Sequence, residues 1–339
     1  MTKKRVSIKD IARLAGVSSP TVSRALHGRG RISDATRERI TKLADEVGYM
    51  PSLVARGLVT QRSYCVGLIV PQFADPFQSE VAQGVEDEAR QHGYSLFMAS
   101  AGVDPARELE IARTFHGRQV DGIVVSASRA GNRYLELGRE SGIPIVQINT
   151  HVEDDKFHSI RHDDYTGICQ LMRYLIQCGY RRIAHVGNER GIRATVDRYR
   201  AWSDTMQAAG LKPELAVNGP NGRIYGGTVA GELLLTRAQQ LWGSPPEAIC
   251  CYNDTMAVGV LSVLRQHQLR VPDDIALTGF DDIDIAAFVE PPLTTWRQPR
   301  HKMGVEAMKV LLSLINQEAS TSSPQITPMG GELVIRRSA

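Results

Sequence analysis

Long apolar runs are missing from these 339 residues. No stretch approaches the roughly 18 apolar residues of a membrane-spanning helix, so no membrane is expected among the partners. The first residues are basic and hydroxyl-rich, without the charged-then-apolar layout of a secretory leader, and a cytoplasmic location is expected. Cysteine is sparse: five residues, an odd number, with no C-x-x-C pair. That weighs against a disulfide framework or a zinc site. It fits reduced, buried thiols, with Cys250 and Cys251 adjacent in an apolar run. The patterns G-x-x-x-x-G-K-[ST], G-x-S-x-G and H-E-x-x-H are also absent. The nine histidines are scattered, and His158 and His162 show no matching acidic general base. No enzyme is expected, and no catalytic residue, cofactor or metal site is assigned.

What is present is uneven. The net charge of +3 hides a basic head on an acidic body: residues 1–62 hold 13 Lys and Arg against 5 Asp and Glu, and the remainder 27 against 32. A head of that kind suits phosphate binding and salt-dependent affinity, with Lys3, Lys4 and Arg5 as an arm near the backbone. Residues 7–27 read SIKDIARLAGVSSPTVSRALH. Ile8, Ile11 and Ala12 share one face of a helix ending near Leu14. Ala15 and Gly16 make a tight turn, where glycine takes positive φ at little cost. Ser18 is an N-cap, Pro20 is tolerated in the first turn, and Val22, Ala25 and Leu26 form a second inner face. This is helix-turn-helix spacing, which lays the second helix in the DNA major groove. Ser33 caps a third helix, Asp34 to Val47, closed by Gly48. Pro51 then opens a stretch to Val59 too short to be a stable helix alone.

VSIKDIARLAGVSSPTVSRAL followed by GYMPSLVARGL resembles the lactose-repressor/galactose-repressor family of bacterial transcription regulators. The resemblance implies that residues 51–63 are a hinge helix and linker. That helix would fold on operator DNA in a dimer and push Leu58 into the minor groove, kinking the duplex. Ala55 and Arg56 would lie beside that groove. Ser19 and Pro20 occupy the family's main operator-specificity positions. Pro20 offers only apolar contact, for example to a thymine methyl. Thr21 and Ser23 would bind phosphates, and Arg24 would read a guanine edge or clamp a phosphate. Ser7, Ser18 and His27 complete the DNA-contact set. Where the family usually has asparagine, Ser52 stands.

From Tyr64 onward strands and helices alternate. Expected strands are 65–70, 95–100, 121–128, 144–149, 182–187, 248–253 and 275–280, with a short one near Ala216 and a last one at 330–338 on the second lobe. Expected helices are 77–92, 107–118, 135–141, 166–178, 198–209, 228–237, 255–267 and 303–315. Runs such as CVGLIV, apolar throughout, are those of parallel strands covered on both faces. The class is α/β: an all-α head and hinge joined to a body of two doubly wound lobes. The body resembles the periplasmic sugar-binding-protein fold. The expected division is a head at 1–50, a hinge and linker at 51–63, and an effector-binding and dimerisation domain at 64–339. Lobe 1 would span about 64–162 and 291–320, and lobe 2 about 163–290 and 321–339.

Ligands in such sheets bind beyond the carboxyl ends of the strands. The expected effector residues are Asp75, Phe77, Asn149, Arg198, Tyr225, Asn253 and Asp281. Arg198 falls on the family's R-x-x-G-aromatic pattern, with Ala201 in place of the glycine. Carboxylates, amides and a guanidinium read vicinal hydroxyls, and an aromatic stacks on a sugar face. Tyr225 could equally be core packing, and an Asp281–Arg198 pair could bridge the lobes without a ligand. Asp254 and Asp282 read as helix caps or structural acceptors, and Asp163 as a shaper of the lobe-to-lobe turn. The resemblance implies a homodimeric repressor of carbohydrate-utilisation genes, with no tetramerisation tail evident. It would bind palindromic double-stranded operator DNA under control of a sugar, sugar acid or sugar phosphate. The alternatives are an activator or dual regulator, or a nucleoside or purine effector.

Overall fold

The computed structural model describes residues 6–26, 32–49, 62–150, 157–189, 193–316 and 324–339. Met1–Ser63 and Tyr64–Ala339 are two separate compact units. In the first, the described residues form α1 (Ile8–Ala15), α2 (Ser19–Leu26) and α3 (Asp34–Glu46). Ser7 opens α1 with a capping box: its hydroxyl accepts from the Asp10 amide, and Asp10 accepts from the Ser7 amide. Gly16 ends α1 at φ +64°, a left-handed value that favours glycine. Each helix contributes one fully buried side chain, Ile11, Val22 and Ile40, and Ala12, Ala15, Ala25 and Ala44 fill between them. Ile8, expected inside, is half-buried against this cluster, and Ala15 takes an inner place. The expected hinge helix, with Ala55, Arg56 and Leu58, lies outside the described residues, as does His27.

In the second unit the chain runs β1 (Cys65–Val70), α4 (Pro76–Gln91), β2 (Ser95–Ser100), α5 (Pro105–Gly117), β3 (Gly122–Ser126), α6 (Arg133–Ser141), β4 (Ile145–Ile148) and β5 (His158–His162). It continues through α7 (Asp164–Gln177), β6 (Ile183–Asn188), α8 (Arg193–Ala208), β7 (Ala216–Gly219), α9 (Ile224–Trp242), β8 (Ala248–Cys251), α10 (Asp254–Gln266) and β9 (Ala276–Thr278). Last come α11 (Ile285–Phe288), β10 (Thr295–Arg297), α12 (Arg300–Ile315), β11 (Ile326–Met329) and β12 (Glu332–Val334). One sheet has the order β11-β5-β4-β3-β1-β2 and another β7-β6-β8-β9, with every pairing parallel. β10 and β12 pair antiparallel as a small third sheet. β1, β3, β4, β6 and β8 are buried along their whole length, as apolar runs in a sheet covered on both faces must be. Each sheet carries an apolar core on either side. Cys250 and Cys251 are buried free thiols, and burial pushes Cys250 up to about 12.

Three strands differ from expectation, among them β10, which pairs with β12. HSIRH forms β5 although its polar residues give no apolar run. ITPM forms β11 at the edge of the first sheet, parallel to β5. Residues 326–329 therefore belong to the first lobe, not to a second-lobe segment 321–339. An edge position tolerates Pro328 and needs little hydrophobicity, so the pattern hides it. The chain then returns to the second lobe. Ser338 accepts from the Leu277 amide through its carbonyl and from the Thr294 amide through its hydroxyl. No helix among the described residues is long and apolar enough to cross a membrane.

Candidate functional site

The head presents its candidate contact residues around α2. Ser18, just before the helix, accepts from the Thr21 amide at 3.3 Å, and the two hydroxyls lie 2.8 Å apart. Thr21 and Ser18 thus complete the local cap. Pro20 and Arg24, four residues apart, are both exposed, with Ser19 and Ser23 half-buried on the same helix. Ser7 is exposed, and its hydroxyl is spent on the capping box.

In the body, the carboxyl ends of the two large parallel sheets face a cleft of about 330 Å³. Asp75, Phe77, Asn149, Arg198, Asn253 and Asp281 all line it. Tyr225 does not. In α9, Gly226, Gly227, Ala230, Gly231, Leu234 and Ala238 form the buried face, which turns Tyr225 outward, 66% exposed.

Arg198 is the fixed centre. It is buried at the sixth position of α8, below the fully buried Ala201 and Trp202. Its guanidinium lies 3.9 Å from the Phe280 ring centroid and 4.6 Å from that of Tyr252, a cation–π sandwich. It donates through Nε to Asp164 Oδ1 at 2.9 Å and through Nη1 to the Tyr252 carbonyl at 2.5 Å. Asp281 Oδ1 lies 3.7 Å away. Arg198 and Asp281 both belong to the second lobe, so their pair does not bridge the lobes. Burial opposes the charge on Arg198, yet Asp164 and Asp281 outweigh it and raise its affinity for the proton. For Asp164, burial acts upward, but Arg198 and His162 prevail and hold the carboxyl at about 2.

Asp281 behaves differently. Burial drives it up to about 7; Arg198 and the Gln298 amide pull it down, and Asp75 and Asp164 reinforce the rise. Gln298 Nε2 donates to Asp281 Oδ1 at 2.6 Å. Asp281 and Asp282 have consecutive positive φ values, +110° and +54°; such strain gathers at functional sites. Asp282 is structural: it pairs with Arg297 at 2.6 Å and Arg336 at 2.7 Å. So is Asp254, fully buried, which accepts from Thr295 and from the Ile283 amide.

The other expected residues are partly spent on the fold. Asp75 caps α4, accepting from the Phe77 amide at 3.0 Å. Burial raises its carboxyl, against the Phe77 and Gln78 amides, Arg223 and Arg300. Phe77 is mostly core, 9% exposed. Asn149, at φ +48°, accepts from the His162 amide. Asn253 has its amide committed at both ends, capping α10 through Met256 and donating to the Gly222 carbonyl. Asp163 caps α7, accepting from the Thr166 amide.

Sequence reasoning missed other lining residues. Gln72 and Arg129 follow β1 and β3, and Arg161 and His162 end β5. Asn188 ends β6, Asn221 and Arg223 follow β7, and Arg193 opens α8. The strand-end rule, applied to every strand, would have found Gln72, Asn188 and Asn221. His162 also accepts from Trp296 Nε1 at 3.0 Å, which ties two lobe-crossing segments together.

Residues 7–52 match bacterial regulatory proteins of the lacI family, and residues 172–339 match the periplasmic binding protein-like domain. The transcriptional repressor PurR of Vibrio atlanticus (strain LGP32) is 32% identical over 315 residues, covering 92% of this chain and 92% of its own. CytR, a transcriptional repressor of Escherichia coli (strain K12), is 32% identical over 334 residues, covering 98% and 96%. A solved transcriptional regulator, CelR in complex with cellobiose, superposes with a TM-score of 0.74 at 29% identity, covering 99% of this chain and 100% of that one. The lac repressor dimer bound to operator and the anti-inducer ONPF gives 0.89 at 23% identity over 99% of both chains, a likeness of fold. With relatives of this identity along nearly its whole length, the chain belongs to the lacI family of bacterial regulatory proteins, DNA-binding regulators of transcription.

Proposed function

We propose that this protein is a homodimeric repressor whose operator affinity is set by a sugar or sugar derivative held between the lobes. The observation behind the reading is the cleft itself. Asp75 and Asn149 enter from one lobe and Arg198 and Asp281 from the other, around a space that fits a small polar ligand. CelR, the relative in complex with cellobiose, supports a carbohydrate. On this reading α2 enters the major groove, with Pro20 and Arg24 toward the bases, and two heads meet the half-sites of a palindrome. Leu58, Ala55 and Arg56 act at the operator centre. The homodimer is supported by β2, a sheet-edge strand that leaves Phe97 and Met98 exposed, a form of edge that proteins usually cover. Ligand and operator are then coupled by the free-energy difference between lobe arrangements, typically about 1–3 kcal/mol.

Asp75→Asn provides the test. Asparagine still caps α4 but cannot present a carboxylate to a hydroxyl. In a gel-shift assay, operator affinity without effector should equal that of the parent. The effector concentration that changes it should rise at least tenfold. An unchanged effector response would remove Asp75 from the site, and no sugar response in the parent would remove the carbohydrate.

A further inference from the structure

Among the described residues, the cleft offers no aromatic face on which a ring can stack. The described residues include every Phe, Tyr and Trp of the chain. The aromatic side chains in the lining are those of Phe77, Tyr252 and His162. Phe77 and Tyr252 are buried, and the His162 side chain is wholly so. The Tyr252 ring is also covered by the Arg198 guanidinium. Tyr225, the expected stacking residue, lies outside the lining. An aromatic that holds a sugar face or a base must present its own face to the ligand. Rings as buried as these cannot.

The lining is instead rich in carboxamides. Gln72, Gln78 and Asn149 come from the first lobe, and Asn221 and Asn253 from the second. Asn253 is committed at both ends. In three others the oxygen is taken. The Asn149 oxygen accepts from the His162 amide at 2.9 Å and that of Asn221 from the Arg223 amide at 3.1 Å. The Gln72 oxygen accepts from the Arg223 guanidinium. An N–H group can only donate, so these contacts fix which end of each carboxamide is the oxygen. The NH2 ends are what remain for a ligand. Gln78 is the opposite case. It lies in the first turn of α4, only 5% exposed, and its Oε1 has no hydrogen-bond partner among the described residues. A buried acceptor without a donor is costly, and a ligand hydroxyl answers it.

We propose that the effector is a small polyol read through its hydroxyl edges, a sugar alcohol or an unstacked monosaccharide with no aromatic part. Gln72, Asn149 and Asn221 donate to its oxygens. Asp75, Asp281 and Gln78 accept from its hydroxyls, each of which donates and accepts at once. The inference rests on reading the cleft as the effector site and narrows the ligand held there. Hydrogen bonds of this kind follow hydroxyl positions, not ring closure, so an open chain and a ring both satisfy them. A nucleoside or an aryl glycoside brings a flat group for which the cleft has no platform.

The test uses the full-length protein. Calorimetry compares ribose, xylose, glucose and galactose with ribitol, xylitol, glucitol and galactitol, and with adenosine and phenyl glucoside. At least one sugar and its open-chain alditol should bind within about tenfold of each other. Adenosine and phenyl glucoside should bind no more tightly than ribose and glucose. Asn221→Asp keeps the oxygen that holds the Arg223 amide and removes the NH2 donor. Gln78→Met keeps the length of the side chain and removes the acceptor. Each should weaken the polyol that binds by about tenfold or more, whereas Tyr225→Ala should leave it unchanged. If the aromatic compounds bind more tightly than the free sugars and the two cleft variants weaken them, the cleft remains the effector site and the polyol proposal falls. Equal binding of a polyol to the parent and both cleft variants would overturn the proposal and the cleft reading together. A sugar that binds while its alditol does not would show that ring closure is read, and would overturn the proposal alone. So would a loss of binding in Tyr225→Ala, or no binding of any polyol to the parent.

Discussion

At the scale of single residues, Asp164 and Asp281 show how two similar carboxylates beside one guanidinium diverge. Asp164 receives direct hydrogen bonds from Arg198 and is held at about 2. Asp281, 3.7 Å away, is driven up to about 7 by burial, with Asp75 and Asp164 adding to the rise. Unfolded aspartate titrates near about 3.9. Between about pH 4 and 7 the folded state therefore keeps a proton on Asp281 that the unfolded chain has released. The stability this gives is complete below about pH 4 and is lost as pH rises through 7. Asp164 works in the opposite sense: its contribution is present above about pH 4 and lost as pH falls toward 2. The two windows do not overlap. Without ligand, the melting temperature should fall by a few degrees from pH 5 to 7.5, and Asp281→Asn should flatten that fall. Superimposable pH profiles of parent and variant would assign the slope elsewhere.

At the scale of elements, each lobe is closed by a pair of helices that touch backbone to backbone. A Cβ on Gly84 of α4 would sit 2.0 Å from the His301 carbonyl oxygen of α12, and one on Gly304 of α12 would sit 2.1 Å from that of Val81 on α4. In the second lobe Gly227 of α9 and Gly259 of α10 repeat the arrangement, at 2.0 Å from the Met256 carbonyl oxygen and 2.1 Å from that of Ile224. Glycine inside a helix costs about 1 kcal/mol relative to alanine. These four positions accept that cost because a methyl group would force the axes apart. Gly84→Ala should therefore destabilise the protein by about 1–3 kcal/mol, in spite of its better helix propensity. Chemical denaturation reads the sign directly: a gain in stability would show that α4 and α12 can separate freely. The approach of α12 to α4 also docks the segment after β10 onto the first lobe, so the same contact fixes where the chain crosses between lobes.

At the scale of the whole molecule, legibility followed burial. CVGLIV and AICCYN announced central strands because a parallel strand covered on both faces must be apolar throughout. HSIRH and ITPM did not, because β5 ends at the polar cleft and β11 lies at a sheet edge. Arg198 was legible from its motif. Arg129, Arg161 and Arg223 were not, since they come from separate loops and strands and meet only when two sheets face one another. Tyr225 was misplaced because helical phase, set by the glycine face of α9, decides which way it points. Charge distribution is the whole-molecule property that sequence stated outright, and it leads to a measurable slope. Residues 1–62 hold 13 basic and 5 acidic side chains, and the rest of the chain is net acidic. Phosphate contacts should come from the head alone, and in the proposed homodimer two heads double their number. Each neutralised phosphate contributes about −0.9 to the slope of log K against log salt. About six contacts per dimer give a slope near −5, so affinity should fall roughly a thousandfold between 50 and 200 mM salt. The acidic body adds repulsion, not contacts, so Arg161→Gln and Arg223→Gln in the cleft should leave the slope unchanged while Arg24→Gln lowers it by about two units, one from each head, if that side chain clamps a phosphate. If Arg24 reads a base edge, its loss should instead relax sequence preference at one operator position with the slope nearly intact. A flat slope for the parent would mean that the basic head does not bind DNA through phosphates at all.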